Sequence, residues 1–372
     1  MTAPGAPSPE PIDRLAALPA LTPFVAPEAL ARRTGVAALL RLGANESAFG
    51  VAPAVLAAMR ASLASIAWYG DPESADLRAA LALRHGTTPD CLTVGAGIDD
   101  LLGLVVRAYG AGRPVVATAG TYPTFFYHLA GFGATPVTTP YAEDGAVPLD
   151  RLAQLARSAD ARLVYLANPD NPSGTFAARA EVERFAAALP AGALLILDEA
   201  YADFVESAEL PRFDGDPRVV RMRTFSKAYG LAGARIAYAV ANPAVVRTLD
   251  KIRLHFGVNR SAQAGALAAL GERAFVRDVV AEVARGRAAY ARLAAGLGLS
   301  TLASRTNFVC FDLGTRARAE ATVEALLLRG VFVRKPGAPP IDRCIRVTVG
   351  TPAERERFAE ELAGALAAGV EN

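Results

Sequence analysis

The chain has 39 basic residues, but only three are lysines: Lys227, Lys251 and Lys335. Lys227 stands in Thr224-Phe-Ser-Lys-Ala-Tyr-Gly-Leu-Ala-Gly-Ala-Arg235, among small and apolar residues, with hydroxyls at Thr224 and Ser226. A lysine amine becomes nucleophilic when burial or a nearby cation lowers its pKa, and a surface lysine needs no such setting. The other two serve as controls. Lys251 lies in the mixed-charge stretch Leu249-Asp-Lys-Ile-Arg253, and Lys335 follows Arg334 and precedes Pro-Gly, so both read as solvated or as anion contacts.

Three further segments carry chemistry. Gly95-Ala-Gly97 before Ile98-Asp-Asp-Leu fits a glycine turn that seats an anion on a helix start, or a plain strand-to-helix turn. It is not a dinucleotide fingerprint, because the third glycine is replaced by Asp100. Asn168-Pro-Asp-Asn-Pro-Ser-Gly174 is a rigid polar turn whose Asn171 amide could reach a ligand. Asp198-Glu-Ala-Tyr201 closes the apolar run Leu194-Leu-Ile-Leu, where a carboxylate needs a cation or a donor, or else caps a helix.

The elements that must position these residues alternate. Between about Ala52 and Val240, helical periodicity over 52–65, 74–85, 99–109, 149–157 and 178–189 is interspersed with short apolar runs. The runs are 92–95, 114–118, 162–167, 193–198, 218–223 and 235–240. This predicts an α/β fold, a mostly parallel sheet covered by helices, with ligands bound beyond the strands' carboxyl ends. The four segments therefore meet on one rim. After about Arg260 the pattern becomes a smaller α+β unit: helix 263–297, strand 307–313, helix 317–329, strands 331–334 and 344–349, and helix 352–368. The expected division is an N-terminal segment, 1–45, packing with the small domain, a large domain, 46–260, and a small C-terminal domain, 261–372.

Composition narrows the partners. A net charge of +2 over 372 residues leaves no basic footprint for nucleic acid or an anionic membrane. No apolar run reaches the ~18 residues of a membrane span, and the first eleven residues lack a signal-peptide pattern, so a cytoplasmic protein is expected. Three cysteines (Cys91, Cys310, Cys344) and three histidines without metal-ligand spacing predict buried thiols, no disulfide framework and no metal site. A candidate amine nucleophile, a buried carboxylate, a Tyr/Asn pair, an anion-binding helix start and an arginine form the set that pyridoxal phosphate requires.

At these residues the chain resembles the fold-type I pyridoxal-phosphate aminotransferases, most closely the histidinol-phosphate aminotransferase-like branch. The likeness runs from about Leu42 to Thr351 through Gly43-Ala-Asn-Glu-Ser, Trp68-Tyr-Gly-Asp-Pro, Gly95-Ala-Gly-Ile-Asp-Asp, Thr121-Tyr-Pro-Thr-Phe, the Asn-Pro turn, Asp198-Glu-Ala-Tyr, the Lys227 segment and Ile345-Arg-Val-Thr-Val-Gly-Thr. The resemblance implies that Lys227 bonds the cofactor's aldehyde, Asp198 pairs with its ring nitrogen, and Asn171 and Tyr201 hold its ring oxygen. Tyr122 would stack on the ring. Ile98, Asp99, Ser226 and Arg235 would hold its phosphate, joined by Tyr69 from the second subunit of a homodimer. Arg346 would grip a substrate carboxylate, with Arg334, Phe24 and Asn171 completing the substrate site. The implied partners are a small-molecule amino donor and a 2-oxo acid acceptor, 2-oxoglutarate. Pro23-Phe24 stands where the family often has Pro-Tyr, and Trp68, Gly70 and His255-Phe-Gly-Val-Asn259 also depart from its pattern. Besides histidinol phosphate, an aromatic or other amino acid donor therefore stays open, as does a threonine-phosphate decarboxylase-like lyase.

Overall fold

The structure is a computed structural model that describes residues 10–18, 25–36, 39–212 and 215–368. Seven strands build the main sheet: β1 (Leu92–Gly95), β2 (Pro114–Thr118), β3 (Thr135–Thr139), β4 (Leu163–Ala167), β5 (Leu194–Asp198), β6 (Val219–Thr224) and β7 (Ala237–Val240). Their spatial order is β1-β7-β6-β5-β4-β2-β3. All run parallel except β7, which is antiparallel to both β6 and β1.

Strand periodicity explains why the runs look uniformly apolar. Leu194 and Ile196 of β5 join one core with Leu163 and Tyr165 of β4, while Leu195 and Leu197 join another with Val164 and Leu166. Both faces are covered, so no position on these strands can be polar until the strand ends. Each fully buried Leu or Ile contributes about 1.5–3 kcal/mol, which is what holds a charged residue at the tip of β5 in place.

The expected strand runs all recur, their ends moved by at most two residues. β3 and the helix Pro123–Gly131 were not expected. β3 is an edge strand with the sequence Thr-Pro-Val-Thr-Thr and mostly exposed or half-buried side chains, so it lacks an apolar run, and its proline is tolerated only at an edge. The single expected helix over 263–297 is two, Arg260–Ala269 and Arg273–Gly296, broken at the turn containing Gly271.

A second sheet carries β8 (Phe308–Asp312) and β9 (Cys344–Thr348), paired antiparallel with Cys310 opposite Arg346. Leu40–Arg41 lies parallel to Val331–Phe332, and the Thr348 N–H donates to the Leu42 carbonyl at 2.8 Å. The expected strand 331–334 stops at Phe332, with one isolated bridge between Arg334 and Arg346. This pairing carries the segment after Leu42 over the end of the main sheet. Among the described residues no helix is long and apolar enough to cross a membrane, and all three cysteines are buried free thiols.

Candidate active site

A cavity of about 620 Å³ opens on the rim formed by the carboxyl ends of β1, β2, β4, β5 and β6. Its walls include Ile98, Asp99, Tyr122, Asn171, Asp198, Tyr201, Ser226, Lys227, Arg235, Arg334 and Arg346. Arg235 does not follow a strand's carboxyl end, as the other motif residues do. It precedes β7, and the reversed direction of that strand brings it to the same rim.

Lys227 lies three residues beyond β6, half-buried, with Nζ donating to the Asn45 carbonyl at 3.0 Å. Burial lowers its pKa to about 8, helped by the guanidinium charges of Arg346 and Arg235. Asp198 is 5% exposed, and among the described residues no lysine or arginine pairs with it. Its Oδ2 accepts from the Tyr165 hydroxyl at 2.8 Å and its Oδ1 from the Ala200 N–H at 3.0 Å. Loss of hydration raises its pKa to about 6, and these two donors limit the rise. A cationic nitrogen brought into the cavity is what this carboxylate is short of.

The floor beside it is an anion cradle. Helix α1 (Ile98–Val105) starts at Gly97, whose φ is +96°. A Cβ there would lie 2.3 Å from Nη2 of Arg235, so only glycine lets that guanidinium cross the helix start. The unpaired first-turn N–H groups, the helix dipole and the cation all favour a bound anion. Arg235 itself holds a left-handed φ of +57°, and its Nη1 donates to the Ala232 carbonyl at 2.9 Å. The Ser226 Oγ accepts from Thr224 Oγ1 at 2.9 Å, which leaves its own hydrogen to donate into the cavity.

On the opposite wall, Arg346 donates to Asn171 Oδ1 at 2.5 Å and to the Gly43 carbonyl at 3.0 Å, while its buried Nε has no partner among the described residues. Its guanidinium lies 5.3 Å above the Phe308 ring. Arg334 stacks 5.4 Å above Phe332, and burial beside Arg346 lowers its pKa to about 10. Tyr122 lines the cavity at the start of helix Pro123–Gly131, and burial pushes its phenol well above the ordinary range. The Tyr201 hydroxyl accepts from Asn45 Nδ2 at 2.9 Å, and its pKa is pushed up to about 12 by burial.

Tyr69, expected to act from a second subunit, does not line the cavity of its own chain: it is exposed on the surface, its ring 4.6 Å from that of Phe256. Phe24 lies outside the described residues. Lys335, expected to be solvated or an anion contact, lines the cavity and ion-pairs with Glu320 at 3.4 Å. Asn45 and Tyr165 were missed as functional groups. Tyr165 reads as one more apolar position of β4, and only its register beside β5 aims the hydroxyl at Asp198. Asn45 reaches the site through the β8–β9 sheet, which no local pattern announces.

The donor set therefore suits an aromatic ring with a basic nitrogen at one end, an anionic group at the other and an electrophilic carbon near Lys227. The model of the family described as aminotransferase class I and II matches residues 37–362. Histidinol-phosphate aminotransferase 1 of Cupriavidus pinatubonensis is 37% identical over 360 residues, covering 93% of this chain and 95% of that protein. The histidinol-phosphate aminotransferase of an Anaeromyxobacter species is 37% identical over 359 residues, covering 94% and 97%. The crystal structure of histidinol-phosphate aminotransferase from Sinorhizobium meliloti in complex with pyridoxal-5'-phosphate superposes with a TM-score of 0.92 at 44% identity, covering 96% of this chain and 97% of that one.

Proposed function

The chain belongs to the class I and II aminotransferases, and from that membership we propose that it passes an amino group between histidinol phosphate and 2-oxoglutarate. It is a pyridoxal-phosphate-dependent transaminase. Bound pyridoxal phosphate supplies an aldehyde that takes up the amino group and a ring that withdraws electron density from the substrate's reacting carbon.

The chain's own residues would hold that group at both ends. Asp198 would face the ring nitrogen, with Asn171 and Tyr201 at the ring oxygen and Tyr122 against the ring face. The Ile98 and Asp99 N–H groups, Ser226 and Arg235 would hold the phosphate. Lys227 would bond the aldehyde and, once displaced by the substrate amine, accept at Nζ the proton from the amine-bearing carbon. A pKa of about 8 suits that task, since roughly a tenth of the amine is neutral at pH 7, against well under a thousandth at an ordinary lysine pKa. We read the chain as a large cofactor-binding domain, 46–260, a small C-terminal domain, 261–372, and an N-terminal segment, 1–45, that packs with the small domain. We further propose a homodimer in which Tyr69 of a second copy reaches the phosphate, on the strength of the exposed Trp68, Tyr69, Leu254 and Phe256, and a cytoplasmic location, on the strength of a sequence without a signal-peptide pattern or a membrane span.

One observation carries the choice of substrate: the cavity has two cationic centres beyond the cofactor cradle, Arg346 and the Arg334–Lys335 pair. Arg346 fits a 2-oxo acid's carboxylate through a bidentate pair, and the second centre fits the distal phosphate of an amino-alcohol phosphate that has no carboxylate. The test mixes cofactor-loaded protein separately with histidinol phosphate, phenylalanine, tyrosine and glutamate and follows the cofactor's visible absorption. Histidinol phosphate and glutamate should bleach it. Bleaching by phenylalanine or tyrosine, with none by histidinol phosphate, overturns the substrate, and carbon dioxide release overturns amino transfer. Lys227→Ala should lose both turnover and the borohydride-fixed cofactor; retention of both overturns the site.

A further inference from the structure

Asn45 is 2% exposed and has a left-handed backbone, φ +55°, which asparagine tolerates better than most residues but which is uncommon in a buried segment. Strained backbone of this kind persists only where the surroundings over-determine it. Here they do. The Asn45 N–H donates to Thr348 Oγ1 at 3.0 Å, and that hydroxyl donates back to Asn45 Oδ1 at 3.2 Å. The Asn45 carbonyl accepts from Asn307 Nδ2 at 3.1 Å and from Lys227 Nζ at 3.0 Å, which fills both of its lone pairs. The remaining donor, Nδ2, is aimed at the Tyr201 hydroxyl at 2.9 Å.

We propose that Asn45 is a positioning residue that receives the free Lys227 amine on its carbonyl and, through its amide, orients the Tyr201 hydroxyl, so that both groups move as one unit with β9. The proposal rests on the transaminase reading above. Lys227 must alternate between being bonded to cofactor and being a free amine that handles a proton. In the free state it needs a fixed acceptor that aims Nζ into the cavity without neutralising it, as a carboxylate would. A backbone carbonyl does that. A peptide oxygen already held by Asn307 and fixed by Thr348 cannot follow the amine, so the amine returns to one place. Thr348 lies two residues from Arg346 on β9, so a carboxylate pulling on Arg346 shifts the strand that anchors Asn45. Substrate capture is thereby tied to the position of the base.

The side-chain arm has its own signature. The Asn45 amide lowers the pKa of Tyr201 by donating to its oxygen. Without that donor the phenol becomes a weaker acid and a weaker donor to the oxygen it faces on the ring. The proton shared near that oxygen is then held more tightly, and the pH midpoint of the bound cofactor's visible absorption moves up.

Asn45→Gly keeps the left-handed backbone and the carbonyl but removes the amide. Asn45→Ala removes the amide and strains the backbone that carries the carbonyl. On holoenzyme, Asn45→Gly should raise the absorption midpoint and lower kcat about tenfold, the rate equivalent of one hydrogen bond, while KM for the amino donor changes less than about threefold. Asn45→Ala should show the same midpoint shift with a further loss in kcat. Thr348→Val should give a smaller shift of the same sign. A purely structural role predicts a lower melting temperature, with the midpoint and kcat per bound cofactor unchanged in all three variants, and that result overturns the proposal. If Lys227→Ala retains turnover, the transaminase reading fails first, and the two failures are thus distinguishable.

Discussion

Asp198 and Glu199 are sequence neighbours, both almost fully buried at the end of β5, and they face opposite sides of the sheet. Asp198 shares the face of Tyr165 and has two neutral donors and, among the described residues, no cation. Glu199 shares the face of Arg221 and Arg223, two residues apart on β6, and accepts from both at 2.8–3.0 Å. The same burial therefore ends differently. Desolvation raises both carboxyls, but the two guanidiniums bring Glu199 below its usual value, while Asp198 stays at about 6. One carboxylate is finished within the chain, and the other is left for a ligand to finish. On the proposed reading, the difference separates a group that holds the fold from a group that would meet the cofactor, more clearly than burial or charge alone.

The largest break in this comparison is Asp198→Asn, which removes the charge and keeps the shape. Turnover should fall by about 10²–10³-fold, the scale of removing a preorganised electrostatic group from a reacting centre, measured as kcat of the cofactor-loaded variant. Glu199→Gln should do the opposite. It strands two buried guanidiniums, so stability should drop by roughly 3–5 kcal/mol, while kcat per folded, loaded molecule stays near that of the parent. Urea unfolding beside active-site titration separates the two effects. Equal losses of activity from both variants would collapse the distinction.

A subtler consequence concerns pH. Because Asp198 titrates at about 6 when folded and near its ordinary 3.8 when unfolded, the cofactor-free fold binds more protons between those values and loses stability as pH rises through that window. The cost is absent below about pH 4, full above about pH 6, and up to roughly 3 kcal/mol. Cofactor-free Asp198→Asn should therefore match the parent at pH 4 and exceed it in stability at pH 7. A gap independent of pH would show that Asp198 is not the titrating group. The smallest effect is expected from Tyr165→Phe. Loss of one hydrogen bond should cost about 1 kcal/mol and raise the Asp198 midpoint further, since the phenol stabilises the ionised form.

Much of this was legible in the linear chain, for a physical reason. Lys227 and Asp198 follow apolar runs that must be strands covered on both faces, so the first polar residues after them must lie on the rim. The anion cradle was legible in part. Gly97 before a helix suggested it and the family resemblance implied Arg235 for it, but no local pattern shows that the reversed β7 carries that arginine across the helix start. Tyr165 was hidden because a phenol in a buried strand is counted as apolar, and its hydroxyl matters only through register with β5. Asn45 was hidden because its partners, Lys227, Tyr201, Asn307 and Thr348, lie 156 to 303 residues away in sequence. The helix break at Gly271 and edge strand β3 escaped because neither carries a pattern that periodicity detects.

By itself, then, the sequence determined the alternation of strands and helices, the rim on which polar residues gather, and the one lysine in apolar company. Those depend on local propensity and on the burial of periodic side chains, which act within a few residues. Tertiary structure alone decided which buried carboxylate is neutralised, which cation reaches the helix start, and which carbonyl receives the free amine. Those are pairings between distant segments, set by strand direction and register, and a charge's surroundings cannot be read from its neighbours in the chain.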